Sequence, residues 1–238
     1  MYWVQSSGVF GRGLFAAALL LSASAAAADI LVVRSSGPSA KSFPAGRRLP
    51  ETARISLKAS DQLIVLDGRG TRIIRGPGTF TAGAPGPGRI ASAAPAVQRR
   101  ARIGAVRGVE TGELRPPSLW HVDVARSSNV CVADSSKVTL WRVDAARPIT
   151  LDIGGPGGRT KRLSWQPGST TLAWPSDLPV ADGAEYRLSW AGARAPTTLR
   201  FRTVPARPAG LEDMAQILIR NQCDAQLDLF IDTVKLPG

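Results

Sequence analysis

The chain has 238 residues and a formal net charge of +12, and its composition limits the kinds of site it can hold. It contains one histidine and two cysteines without a Cys-x-x-Cys pair, which argues against a metal site. Arginine supplies 25 of the 30 basic residues, and these charges are scattered instead of forming one stripe. Scattered charge argues against nucleic-acid binding. No motif indicates a cofactor.

Residues 1–28 have the three parts of a secretory signal peptide. Arg12 precedes an apolar stretch over 14–21, and a run of small residues follows. Cleavage after Ala28 fits best, and cleavage after Ala26 is the alternative. The alternative is an uncleaved membrane anchor, but the apolar stretch is shorter than the ~20 residues that span a bilayer. We therefore expect the mature protein to be soluble and outside the cytoplasm, with no transmembrane segment after cleavage.

Residues 29–82 are predicted to form a small β module. Leu63 to Leu66 is a continuous apolar run, which is typical of a strand buried on both faces. The sequence Asp67-Gly-Arg-Gly70 tolerates positive φ and predicts a chain reversal. Four segments have strand patterns: 30–33, 53–57, 63–66 and 71–75.

The order of features over residues 46–80 resembles the FecR-like domains of bacterial envelope proteins. The features are a Gly-x-x-Leu start at Gly46, the strand series, Asp67-Gly-Arg-Gly70, and the turn Gly76-Pro-Gly78. FecR-like domains are periplasmic signalling and interaction modules and not catalysts. The resemblance therefore implies a signalling or interaction role.

Residues 83–117 are predicted to be a linker rich in proline, glycine and arginine. The sequence Ala84-Pro-Gly-Pro-Gly88 cannot hold a helix or an inner strand. The segment contains six arginines and two glutamates. Either the charge keeps a linker soluble, or the segment docks on an anionic polymer or an acidic partner. The candidate interaction residues for docking are Arg99, Arg100, Arg102 and Arg107.

Residues 118–205 have eight short strand patterns separated by glycine and proline turns. Short strands spaced by about 8–12 residues predict an all-β sandwich. Five tryptophans lie here, and we expect most of them to fill the core. The candidate strands are 119–124, 129–133, 137–142, 149–153, 162–165, 170–174, 186–190 and 197–203.

The stretch from Trp174 to Tyr186 and the alternating strand after it resemble the end of a fibronectin type III or immunoglobulin-like sandwich. In that family a tyrosine before the penultimate strand bonds back to the connecting loop. The resemblance implies this corner role for Tyr186.

Residues 206–238 are predicted to be a C-terminal helical segment. Two apolar stripes interrupted at 221–223 predict two short helices packed on a β domain. Asp224 is the predicted N-cap of the second helix. Asp224, Asp228 and Asp232 form an acidic edge, which is either a solvated face or a docking edge for basic partner residues.

The two cysteines, Cys131 and Cys223, are candidates for a disulfide. An even count in an oxidising compartment favours the bond. It would tie the helical segment to the second β domain, close a loop of about 90 residues and stabilise the fold by roughly 4 kcal/mol. The alternative is a pair of buried thiols that behave as small hydrophobes.

The residues of this sequence that could act in catalysis are better explained by structural roles. Any Ser-His-Asp triad would have to use His121 with Asp123 on the same strand face, and no nucleophile-elbow sequence accompanies them. Gly154-Gly-Pro-Gly-Gly158 lacks the Gly-Lys-Ser/Thr ending of a phosphate loop and predicts a turn. Two acid pairs are better explained by a linker and a helix start: Glu110 with Glu113, and Glu212 with Asp213.

The sequence as a whole predicts a mainly β protein. Its parts are a FecR-like module, an arginine-rich linker, an immunoglobulin-like sandwich and a helical tail. We expect a non-enzymatic interaction protein of the periplasm, working without a cofactor as an accessory or regulatory partner of an inner-membrane sensor. The alternative is a protein that binds an envelope glycan or lipopolysaccharide through the basic linker and an exposed tryptophan.

Overall fold

Fourteen β-strands and two α-helices lie in residues 29–84 and 115–236, which are the residues that this computed structural model describes. The predicted signal peptide and most of the predicted linker lie outside these residues. Within these two ranges, no helix has the length and apolar character needed to cross a membrane. The fold is mainly β, with the helices near the C-terminus, as the sequence predicted.

The first six strands form an N-terminal module. Four of them make an antiparallel sheet in the order β2-β1-β4-β5, and β3 pairs with β6. Asp67 pairs with Gly70 across the predicted chain reversal between β4 and β5. The strands are β1 Asp29–Ser36, β2 Arg48–Pro50, β3 Arg54–Leu57, β4 Gln62–Asp67, β5 Gly70–Arg75 and β6 Gly78–Thr81.

The four-stranded sheet is buried on both faces by two different layers. On one face, Val32 and Val65 pack with Ile55 of β3 in the module's own core. On the opposite face, Leu31 and Leu66 pack against the C-terminal helices. Successive side chains on a strand point to opposite faces, so a continuous apolar run serves both layers. The double burial predicted for β4 is confirmed.

The next eight strands form a two-sheet sandwich around one apolar core. One sheet has the order β11-β10-β13-β14-β8, and the other has the order β12-β9-β7. Trp165 is fully buried in this core, Trp174 is nearly so, and Trp190 packs against it. The strands are β7 His121–Asp123, β8 Ser128–Val132, β9 Thr139–Trp141, β10 Ile149–Gly154, β11 Thr160–Trp165, β12 Thr171–Ala173, β13 Glu185–Trp190 and β14 Thr197–Thr203.

The strand order agrees with that of immunoglobulin-like sandwiches, which place strands C, F and G in one sheet and B and E in the other. Here β10, β13 and β14 occupy the C, F and G places, and β9 and β12 occupy the B and E places. Two pairings are parallel, β14 with β8 and β7 with β9. Each brings together strands that are distant in sequence or separated by another strand.

Tyr186 makes the corner bonds that the resemblance implied. Its hydroxyl donates to the Pro179 carbonyl at 2.8 Å and accepts from the Ala181 N–H at 3.1 Å. The ring also packs edge-on against Trp174 and Phe201, with centroids 5.1 Å and 5.4 Å away. The loop before β13 is therefore fixed by both polar and aromatic contacts.

The two predicted helices, α1 Leu211–Arg220 and α2 Asp224–Thr233, lie between the module and the sandwich. Leu218 and Leu227 pack with Leu66 of the module and Val204 of the sandwich in one apolar cluster. The predicted cap is wrong by one residue, because Cys223 is the N-cap and Asp224 is the first helical residue. The Cys223 carbonyl accepts the first helical bond, from the Leu227 N–H at 2.9 Å.

Candidate functional site

The four arginines predicted as an interaction segment, Arg99, Arg100, Arg102 and Arg107, lie outside the described residues. Glu110 and Glu113 lie outside them as well. The docking role of the segment therefore stays a prediction. The described surface next to this segment begins at Arg115.

The acidic edge of α2 holds arginines of the same chain. Arg34 on β1 lies 2.6 Å from Asp228 and 3.9 Å from Asp224, and Arg115 donates to Asp232. All five side chains are at least 39% exposed, so each pair contributes only about 0–1 kcal/mol. The edge is solvated and pairs with arginines of the same chain, and its role as a docking edge for a partner stays a prediction.

The disulfide between Cys131 and Cys223 joins β8 to the start of α2, as predicted. The two Cα atoms are 5.9 Å apart, and both residues are fully buried. Gln226 reinforces the same joint, since its Oε1 accepts from the Cys131 N–H at 2.7 Å and its Nε2 donates to the Cys131 carbonyl at 2.8 Å. Sequence reasoning missed Gln226, because a glutamine in a helix carries no pattern that reveals a distant partner.

Thr71 joins the N-terminal module to the C-terminal residues. Its N–H donates to the Val234 carbonyl and its carbonyl accepts from the Leu236 N–H, each at 3.0 Å. Its hydroxyl donates to the Ile231 carbonyl at 2.9 Å. Thr71 is only 1% exposed, so these bonds satisfy polar groups that water does not reach. Residues 234–236 thereby begin an extra strand on the outer edge of β5.

Trp120 has an exposed ring and does not belong to the sandwich core. It is 39% exposed and lines a cavity of about 290 Å³ together with Val132 and Lys137. Asp134 is at the rim, and hydrogen bonds from Ser136, together with Lys137, lower its pKa to about 2. The cavity thus combines an exposed aromatic face with one fixed anion and one cation.

A wider polar groove of about 540 Å³ lies between the sandwich and α2. Arg126 and Arg200 line it on the sandwich side, and Asp224 and Asp228 line it on the helix side. Arg200 is already paired with Glu185, and Asp228 with Arg34. Most of its charges are therefore neutralised within the chain.

His121 belongs to a local turn. The Nδ1 atom of its ring lies 2.7 Å from the Ser118 hydroxyl, and its backbone N–H donates to the Ser118 carbonyl at 3.2 Å. Burial raises the pKa of Asp123, although the Ala125 N–H donates to this carboxylate at 2.9 Å. The Asp123 carboxylate is thus hydrogen-bonded within its own turn. In a catalytic triad, by contrast, the aspartate carboxylate orients the histidine.

The other residues considered for catalysis or ligand binding also have structural roles. Glu212 pairs with Arg48 at 2.8 Å, and Asp213 accepts from the Ala209 N–H at 2.9 Å. The segment Gly154 to Gly158 forms the predicted turn between β10 and β11. In the described part of the chain, no group of three or more His, Cys, Asp or Glu side chains could hold a metal ion.

Comparison of the chain with protein-family models, curated protein sequences and solved structures found no match to any of the three.

Proposed function

We propose that the chain is an exported, non-enzymatic interaction protein of the bacterial periplasm, acting as an accessory or regulatory partner of a membrane sensor. The predicted signal peptide and the resemblance of residues 46–80 to FecR-like domains support this proposal. The observation that supports the exported location is the buried disulfide between Cys131 and Cys223, whereas the interaction role rests on the resemblance. Such bonds form and persist in oxidising compartments.

The same disulfide favours a rigid binding body over a mobile pair of domains. It fastens α2 to the sandwich, and Leu31 and Leu66 of the module pack in the same apolar cluster as the helices. A partner that contacts the module therefore meets a surface held in fixed orientation to the sandwich. Binding then costs little conformational entropy on this side of the interface.

In-cell photo-crosslinking in the native host tests the proposal. A photoreactive residue replaces exposed Arg54 on β3 of the module, and the matched control replaces exposed Arg162 on β11 of the sandwich. We expect the module position to yield an adduct with one discrete inner-membrane protein, identified by mass spectrometry. The control position should give no adduct with the same protein.

The proposal fails if neither position captures an inner-membrane protein while the mature chain is present and folded in the periplasm. Retention of the chain in the cytoplasm with free thiols would also contradict it. Folding is checked in the same cells by the absence of alkylation at Cys131 and Cys223 without reductant.

A second candidate function is binding of an envelope glycan or lipopolysaccharide. The exposed ring of Trp120 and the neighbouring Lys137 favour it, because an aromatic face with a nearby cation suits an anionic sugar. Lys137 is 81% exposed and so remains available to a ligand although Asp134 lies 3.1 Å away. The segment with Arg99, Arg100 and Arg102 would add salt-sensitive attraction.

Binding of purified lipopolysaccharide and cell-wall polymer distinguishes the two functions. For the second candidate we expect the affinity to fall with added salt, to fall when Trp120 is changed to Ala, and to fall when all three arginines are changed to Ala. Arg187→Ala on the exposed side of β13 is the matched control for loss of charge. Salt-insensitive binding, or equal loss with the control, would eliminate this candidate.

A further inference from the structure

The outer edge of β5 presents backbone groups that the four-stranded sheet does not use. In an antiparallel pair, residues alternate between those that bond the neighbouring strand and those that point away from it. Thr71 points away from β4, since its N–H and carbonyl bond residues 234 and 236. By the same alternation, Ile73 and Arg75 direct their N–H and carbonyl groups outward.

The chain's own C-terminal residues occupy only the first part of this edge. Lys235 pairs with Thr71 in parallel, through the two backbone bonds at that residue. Within residues 29–84 and 115–236, nothing pairs with the outward backbone groups of Ile73 or Arg75. An added strand that ran from Thr71 to Arg75 would make up to about six such bonds, compared with the two made now.

The charge of the edge limits what such a strand can be. Arg75 is exposed, and in the described part of the chain it has no ion-pair partner; Lys235 is also exposed but belongs to the segment that the added strand would displace. Arg69 at the turn is the exception, since Asp67 lies 3.0 Å away from it. A second copy of this chain would bring the arginines of its own β5 to the same edge, and added like charge disfavours the pairing of two copies. An acidic segment would instead be attracted.

From these observations we infer that the outer edge of β5 binds an extended, acidic segment of a protein partner as an added strand, which displaces residues 234–236 from Thr71. Backbone bonds supply the affinity in this mode of recognition, and alternate side chains supply the selectivity. The inference rests on the proposed partner-binding function and names the surface and the chemistry of the partner.

The test uses the mature protein and a short fluorescent peptide of alternating valine and glutamate. We expect the peptide to bind, and a variant that ends at Thr233 to bind it roughly tenfold more tightly, because the competing residues are gone. Ile73→Pro removes one outward N–H without touching the bonds to β4, and should weaken binding about tenfold. Arg75→Glu should weaken it similarly while leaving the backbone intact.

Two controls separate the edge from general effects. Thr160→Pro makes the same change at the start of β11, an edge strand of the other domain, and should not alter binding. A peptide with lysine in place of glutamate should bind more weakly than the acidic one. Circular dichroism confirms that each variant is folded before binding is measured.

Three results would overturn the inference: no binding of the acidic peptide, unchanged binding by both Ile73→Pro and Arg75→Glu, or equal binding of the lysine peptide. If these occur while photo-crosslinking still captures an inner-membrane protein, the partner uses another surface and the proposed function stands. If photo-crosslinking captures nothing, the proposed function fails irrespective of the peptide result.

Discussion

Gly70 permits the contact between the N-terminal module and the C-terminal residues. Its φ is +146°, and a Cβ atom placed there would lie 2.3 Å from the Val234 carbonyl oxygen. We predict that Gly70→Ala lowers the free energy of unfolding by about 2 kcal/mol, from backbone strain and displacement of Val234. Urea unfolding followed by circular dichroism measures the loss.

Gly68 in the same turn is the matched control. No atom lies within 4 Å of a Cβ built on Gly68. Gly68→Ala should change the free energy of unfolding by less than about 0.5 kcal/mol. Equal effects of the two substitutions would show that residues 234–236 do not dock on β5 as described.

Asp61 links the stability of the module to pH. Burial by itself would raise the pKa of Asp61, but a hydrogen bond from the Ser39 side chain, together with those from the Ser39 and Lys58 N–H groups at 2.9 Å and 2.5 Å, holds it below the usual value. The folded state therefore binds this proton less readily than the unfolded state. Its stabilising contribution is present above the ordinary aspartate pKa of 3.8 and is lost as the pH falls through the lower, folded-state value.

We therefore predict that Asp61→Asn makes the free energy of unfolding less dependent on pH in the acid range. Urea unfolding of both proteins between neutral pH and about pH 3 measures the two slopes. The wild-type protein should lose its greater free energy of unfolding relative to the variant as the solution is acidified. Parallel pH profiles would contradict the assignment.

The individual elements were largely predictable from local patterns, but their partners were not. Alternation and turn residues located β4 and β5, and the break at 221–223 located the two helices. The parallel pairing of β14 with β8 depends on contacts between segments far apart in the chain. Arg142 illustrates the same limit, since carbonyls of three loop residues hold its buried guanidinium.

The disulfide acts at the scale of elements, because it connects β8 with the start of α2. We predict that replacing Cys131 and Cys223 together by Ala lowers the free energy of unfolding by about 4 kcal/mol. Denaturant unfolding of the double variant and the oxidised wild type measures the difference. A single Cys223→Ala change should cost a similar amount, because it breaks the same bond.

Thiol titration checks the bond independently of stability. The mature protein, unfolded without reductant, should take up no thiol reagent. Uptake of two equivalents would show two free cysteines and would leave the helices attached to the sandwich by packing and Gln226 alone.

At the scale of the whole molecule, the helices pack with residues of both the module and the sandwich, which predicts that the two parts unfold together. Leu31 of the module is fully buried against them, whereas the five tryptophans of the second domain report only on the sandwich. We predict that Leu31→Ala, at a cost of about 2–5 kcal/mol, lowers the denaturant midpoint seen by tryptophan fluorescence. Circular dichroism should give the same midpoint.

Independent unfolding of the two β parts would give a different result. The fluorescence midpoint of Leu31→Ala would then stay at the wild-type value while circular dichroism showed an earlier transition. Leu188→Ala in the sandwich core is the positive control, since it must shift the fluorescence midpoint directly.

The candidate site shows the same division between local and long-range information. The sequence predicted Cys131 and Cys223 from their number and compartment, and it predicted an acidic edge on α2 from helical spacing. It did not predict that Arg34 of β1 meets that edge, or that Thr71 meets Lys235, because neither contact has a local signature. The sequence does not distinguish Trp120 from the other tryptophans, because the exposure of a side chain depends on how distant segments pack around it.

The burial of the module's second face has a consequence for how the protein is made. Ribosomes produce β1 and β4 long before α1 and α2, which cover Leu31 and Leu66 in the finished molecule. During that interval an apolar surface is open to other chains, and transiently exposed surfaces of this kind promote aggregation. A premature stop before Leu211 would therefore leave a product whose apolar face stays uncovered, and such a product should aggregate.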